Sequence, residues 1–268
     1  MPPKKTKSVA PAPPDRTRGI ALLETSAPVA GIPGPGRWLV AEYEPTALFS
    51  LKISSATSTV AKTLIVPTPY AIKMALVDSG FRAGLSDDEC ADLLRALVGL
   101  DVRISPPART VVTHTFLKVR QESRDADPLL PYSSTVSYRE FVYHSGCWKW
   151  AFDLAGANDI LAGRLVNLLP HVSYIGKRGS FIAFRRSLRV IGLGADFTQP
   201  VQMAGPWSPP ARAHIAPLDD FGPDADMATL SSYSKGKPKR DRHRKFVETI
   251  IPLGIVNTGP GFTEYDND

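Results

Sequence analysis

The stretch Pro67-Thr-Pro-Tyr-Ala-Ile-Lys-Met-Ala-Leu76 sets the frame for reading the chain. Thr68 stands where a helix N-cap belongs, and Pro69 occupies the first helical position, where a missing N–H costs nothing. From there Ile72, Ala75, Leu76 and Ser79 share one face at helical spacing, and Gly80 and Gly84 end the run. Upstream, Trp38–Ile53 carries Val40, Tyr43, Leu48, Phe49, Leu51 and Ile53 and reads as one long strand or two, interrupted at Pro45. The Ser/Thr-rich loop 54–63 separates strand from helix. Downstream, Ser86 and Glu89 form a capping-box pattern with Leu85 and Cys90 as a hydrophobic staple. Leu93, Leu94, Leu97 and Val98 give this second helix its stripe, and Gly99 closes it.

Beyond the helices the periodicity changes. In Thr110–Arg120, alternation puts Val111, Thr113, Thr115, Leu117 and Val119 on one face and His114, Phe116, Lys118 and Arg120 on the other. The polar loop Gln121–Ser134, with Arg124 and Tyr132, is longer than a tight hairpin needs and leads to a strand, Thr135–His144. The aromatic stretch Trp148–Phe152 follows. A third helix over Asn158–Leu169 turns Ile160, Leu161, Leu165 and Leu168 inward and stops at Pro170. The segment Tyr174–Phe181 introduces a strand, Phe181–Gly192, and a last strand-like segment spans Phe246–Val256.

Strand, helix, extra helix, strand, strand, helix, strand is the β-α-β-β-α-β order of a ferredoxin-like, α+β core with one open sheet face. The expected division is a basic, Pro-rich tail at 1–35, the core at 36–194, and a Pro/Gly-rich, β-containing extension at 195–268.

The 268 residues are 43% hydrophobic, enough for a sizeable core, and carry a net charge of +6, which favours an anionic partner. Cys90 and Cys147 lie far apart without a CxxC, arguing against a disulfide framework or zinc and for a reducing cytoplasm. The N-terminal MPPKKTKSVAPAPPDRTRG has no apolar core of a signal peptide, and no run reaches the roughly 18 apolar residues of a membrane span.

Cations cluster in three further places. Lys235–Lys245 holds seven Lys or Arg, among them Lys239, Arg240, Arg242 and Arg244, with one acid. Like charges this dense repel unless an anion sits among them. Gly176-Lys177-Arg178-Gly179 can present free N–H groups as an anion nest. Arg185, Arg186 and Arg189 follow on the next strand. A catalytic centre, metal site or cofactor fingerprint is not expected: the five histidines are scattered, and HExxH, Walker A, GxSxG and dinucleotide motifs are missing. His114 and Lys118 are the one pair that could serve a metal-free ribonuclease as base and cation.

Together these segments resemble the Cas-five family of the RAMP superfamily, the subunit that caps the 5′ end of the guide RNA in CRISPR Cascade complexes. The resemblance rests on Pro67–Leu76 with Lys73 inside the helix, on Gly176–Gly179, and on Gly259-Pro-Gly-Phe262, and it covers about residues 36–265. It implies a role that is non-enzymatic in most subtypes. The subunit grips the 5′ handle of the guide RNA, supports target DNA binding, and contacts the backbone-forming and large subunits, with no membrane. Gln121–Ser134 would be the thumb that inserts across the guide–target duplex. Lys118, Arg120, Lys177, Arg178, Arg185 and Arg186 would hold phosphates, Phe116 or Tyr132 would touch bases or sugars, Lys73, His114 and Arg124 would add RNA contacts, and the C-terminal basic run would clamp the backbone. One subtype processes precursor RNA, but its catalytic residues find no match here. The long stretch Pro206–Lys245 departs from the family's compact ending. A metal-independent endoribonuclease and a protein–protein adapter with a basic surface are the alternatives.

Overall fold

The computed structural model describes residues 36–53, 62–122, 132–176, 179–203, 212–230 and 238–267. In chain order these form β1 (Trp38–Pro45), α1 (Pro69–Arg82), α2 (Asp87–Leu97), β2 (Val102–Ser105), β3 (Arg109–Glu122), β4 (Tyr132–Ser145), β5 (Trp148–Asp153), α3 (Asp159–Leu168), β6 (Ile182–Val190), β7 (Gln199–Pro200), β8 (His214–Phe221), β9 (Arg244–Ile251), β10 (Gly254–Gly259) and β11 (Phe262–Asp266). The expected tail at 1–35 lies outside the described residues, as does most of the loop 54–63. The result is a mixed helix-and-sheet fold whose sheets are antiparallel.

Local chemistry starts the helices as the sequence suggests. The Thr68 side chain accepts the Ala71 N–H at 3.1 Å, and Ser86 and Glu89 cap one another reciprocally. Asn158 caps α3 by accepting from Leu161 N–H at 2.8 Å. Ile160 was expected to face inward but is exposed. Only Leu161, Leu165 and Leu168 reach the core, because the cap places Ile160 on the outer side of the first turn.

The first sheet has the strand order β2-β5-β1-β6. This corrects the sequence reading, which made Thr110–Arg120 and Thr135–His144 the second and third strands of this sheet. Those segments are β3 and β4 and belong to a second sheet, β10-β11-β3-β4. The true partners are the four-residue β2 and the aromatic stretch β5. Alternation in β5 sends Trp148, Trp150 and Phe152 to the helix side, beside Leu39, Ala41 and Tyr43 of β1 and Val102 and Ile104 of β2. Tyr43 stacks on Trp150 at 4.1 Å and donates its buried hydroxyl to the Leu169 carbonyl at 2.7 Å.

The other face of this sheet is not an open stacking platform. Trp38, Val40 and Ala151 pack under Val190, Leu193 and Phe197, and Asp196 meets Ser105 and Lys149. The Thr198 N–H closes the β2 edge on the Ile104 carbonyl.

A third sheet, β7-β9-β8, carries the C-terminal part of the chain. The expected strand Phe246–Val256 is broken at Pro252 into β9 and β10, which serve different sheets. Leu218, Phe221, Ile251 and Leu253 enter the same core as α1. That helix is therefore buried well beyond one stripe, with Ala71, Lys73 and Val77 covered besides Ile72 and Leu76. No helix among the described residues is long and apolar enough to cross a membrane.

At the root of β4, His144 sits among Phe49 and Trp148, with Nδ1 3.1 Å from Thr110 Oγ1. Burial pushes its pKa down to about 3 from 6.5. Between these values the unfolded chain takes up a proton that the folded chain refuses, so stability falls as pH drops from about 6.5 towards 3, by up to about 1.4 kcal/mol per pH unit from this group. Urea denaturation at pH 7, 6 and 5 should show that slope, and His144→Phe should lack this share of it.

Candidate nucleic-acid interface

The strands β3 and β4 pair over their full length, from Arg109↔Ser145 to Glu122↔Tyr132. Fourteen residues a strand make a ribbon about 45 Å long. Only its root is held. There β11 covers Arg109–Thr113, the His114 N–H donates to the Gly261 carbonyl at 2.8 Å, and Phe49 exchanges two backbone bonds with Val142. From Thr115 and Arg139 outward, among the described residues, each strand has only the other as backbone partner. The described ends of the expected thumb, Gln121–Glu122 and Tyr132–Ser134, are the outermost described pairs of this ribbon. Its residues 123–131, including Arg124, lie outside the described residues.

Directly opposed residues of an antiparallel pair share a face. One face therefore collects His114, Phe116, Lys118, Arg120 and Glu122 from β3 with Glu140, Tyr138, Val136, Ser134 and Tyr132 from β4. Phe116 is 73% exposed and Tyr132 64%. Phe116 meets Tyr138 edge-on at 4.9 Å, and Tyr138 stacks on His114 at 5.8 Å. Lys118 and Arg120 are exposed. At the root the same alternation holds, and it is the face of His114 that is covered. Thr110, Val112 and His114 turn to the body, because the core and β8 lie on that side.

Where the ribbon meets the body, its face runs into a cleft of about 380 Å³ lined by Val112, His114, Glu140, His214, Ile251 and Tyr265. Glu140 is buried. One carboxylate oxygen accepts the Thr63 N–H at 2.8 Å, and the other lies 3.3 Å from His114 Nδ1. Burial lowers the His214 pKa, and burial with the charge of Glu140 raises that of Tyr265.

The other expected contacts sit elsewhere. Lys73 is wholly buried, its ammonium 2.6 Å from Asp220 Oδ1 and 5.5 Å from the Phe221 ring centre. It is a core ion pair rather than a phosphate ligand, because β8 covers the side of α1 from which it projects. Burial lowers its pKa, and Asp220 opposes that shift. Arg185 pairs with Glu44, and Arg186 pairs with both carboxylate oxygens of Glu42 at 2.8 and 3.1 Å. In the basic run, Arg242 pairs with Asp224 and Arg244 with Asp219, Arg244 also lying 4.5 Å over Tyr70. Arg240 lies over Phe246, and Lys239 is exposed. Lys177 and Arg178 are outside the described residues, although Gly176 and Gly179 flank them with φ of 68° and 111°.

His114 and Lys118 lie on one face with Phe116 between them, about 13 Å apart along the strand, a poor separation for base and cation on one phosphate. Among the described residues no group of three or more His, Cys, Asp or Glu is placed to hold a metal. Tyr138 and Glu140 escaped the sequence reading although the pairing of β4 with β3 would have exposed them. His214 and Tyr265 carried no local signal, since only the fold brings them to the ribbon.

The chain matches no protein-family model. It is 25% identical over 107 residues to the CRISPR-associated protein Cas5 of Archaeoglobus fulgidus. The chain resembles the Cas5 family. The match takes in 40% of this chain and 47% of that protein, so the chain spans about half the length of its curated relative. Among solved structures, the chain overlaps a CRISPR protein from Archaeoglobus fulgidus with a TM-score of 0.42 and 11% identity, covering 85% of this chain and 91% of that one. A chain of a CRISPR RNA-guided surveillance complex gives 0.44 and 13%, covering 80% and 88%.

Removing Asp220 would strand the buried Lys73 ammonium. Asp220→Ala should cost about 3 kcal/mol or more in urea denaturation, whereas replacing both partners, in Lys73→Met/Asp220→Leu, should recover most of the loss.

Proposed function

We propose that this Cas5-like chain is an RNA-binding subunit of a CRISPR effector complex in antiviral defence, and that its ribbon face holds the 5′ handle of the guide RNA. The observation that carries the reading is the run of Phe116, Tyr138 and Tyr132 beside two exposed cations, Lys118 and Arg120, on one face of a projecting ribbon. Single-stranded RNA is recognised by this combination: bases stack on exposed aromatic rings while cations follow the phosphates. The resemblance to Cas5 supports the choice of RNA and of an assembly as the setting.

In this reading the sheet β2-β5-β1-β6 with α1 and α3 is a ferredoxin-like core, at 36–194, and the ribbon is an insertion between its second and third strands. The extension 195–268 docks on α1. The cytoplasm is the proposed compartment, and target DNA and the backbone-forming and large subunits are the proposed further partners. Arg185, Arg186, Arg242 and Arg244 contribute less to binding than their number suggests, because each is already neutralised by an acid. The role is structural, since the His114–Lys118 geometry is poor for cleavage.

Titration of the full chain with a labelled repeat RNA in EDTA tests this. Binding without cleavage is expected. Phe116→Ala and Tyr138→Ala should each weaken binding by about 1–3 kcal/mol, and Lys118→Ala should reduce the salt slope by about 0.7. Cleavage that disappears in His114→Ala would favour the endoribonuclease, and an absence of RNA binding at low salt would favour the adapter.

A further inference from the structure

We propose that the cleft at the ribbon root is a nucleobase pocket selective for guanine, receiving a base from the RNA strand that lies along the ribbon; this rests on the ribbon binding RNA. Three observations lead to it. The aromatic ladder does not stop at the edge of the body: Phe116, Tyr138 and His114 are in successive ring contact, and His114 is itself part of the cleft wall. A strand stacked on the ribbon is thereby led into the opening. The cleft, at about 380 Å³, has room for a purine, and Val112, Ile65 and Ile251 offer apolar walls to its faces.

The polar chemistry then chooses among the bases. Glu140 is a buried carboxylate at the cleft, and each of its oxygens is engaged once, by the Thr63 N–H and beside His114 Nδ1. An ionised carboxylate has about four acceptor sites, so each oxygen retains capacity for one more donor. Guanine is the base whose Watson–Crick edge presents two adjacent donors, N1–H and the 2-amino group, at the spacing of a carboxylate. Adenine and cytosine offer one amino group beside an acceptor nitrogen that a carboxylate repels, and uracil offers one N–H between two carbonyls. The Tyr265 hydroxyl, on the same cleft, is a donor for the purine O6 or N7, and Lys62 at the rim can meet the phosphate of the inserted nucleotide. A carboxylate buried beside an RNA-binding face is costly unless donors satisfy it, and guanine supplies them.

The test uses the full chain and oligouridine 10-mers carrying one guanosine, inosine or adenosine, placed at each position in turn. At the position that reaches the cleft, guanosine should bind about tenfold more tightly than inosine, which lacks only the 2-amino group, and than adenosine. In Glu140→Gln the guanosine-to-inosine ratio should fall to near one. Because Glu140 also anchors Thr63, Ala216→Leu provides an independent variant that fills the cleft from the β8 wall and should also abolish the ratio. RNA binding with no base preference at any position, or a preference that survives both substitutions, would overturn the pocket and leave the ribbon reading intact. Failure to bind any RNA at low salt would overturn both.

Discussion

A two-stranded ribbon that leaves the body of a protein has no core of its own and is marginally stable in isolation. The arrangement of the second half of the chain answers that constraint. Strand β11 returns from the C-terminus to pair with the first five residues of β3, Phe49 bridges to Val142 on the opposite edge, and Glu140 accepts a backbone N–H from Thr63. His144 and Trp148 continue the root of the ribbon into the aromatic core. The arm is therefore rigid where it must aim and supported only by itself where it must touch something else.

The same economy explains how charge is used. Several cations that stand out in the sequence are absorbed within the fold. Lys73 and Asp220 join α1 to β8, Arg244 is held between Asp219 and Tyr70, and Arg185 and Arg186 lie against Glu44 and Glu42. An arginine already paired has little further attraction to give to a phosphate, because its neighbouring carboxylate repels the same anion. Lys118 and Arg120 stand apart from this pattern: exposed, and on a face with three aromatic rings. Exposure on an aromatic face, more than the density of positive charge, separates the candidate interface from the rest of the surface.

Features set by nearest neighbours in the chain were legible in the sequence. Thr68 with Pro69, and Ser86 with Glu89, announce helices because a cap is a contact over three residues. The alternation that grouped Phe116, Lys118 and Arg120 was equally local and correct. What failed depended on partners far away in the chain. Val102–Ser105 is too short to declare itself, and its place beside β5 is decided by pairing. The parity of burial at the ribbon root is decided by the docking of β8 and the core, so His114 faces the body. A buried lysine reads like any other until its aspartate is found, and Lys73 meets Asp220 only through the docking of β8. His214 and Tyr265 reach the cleft by the same long-range route.

The most direct measurement is photochemical cross-linking of a uniform short RNA to the full chain, read out by peptide mass spectrometry. If the ribbon is the arm that holds RNA, the cross-linked peptides carry Phe116, Tyr132 or Tyr138. Cross-links confined to the segments around Gly176–Gly179 and Lys239–Lys245, with none on the ribbon, would contradict it.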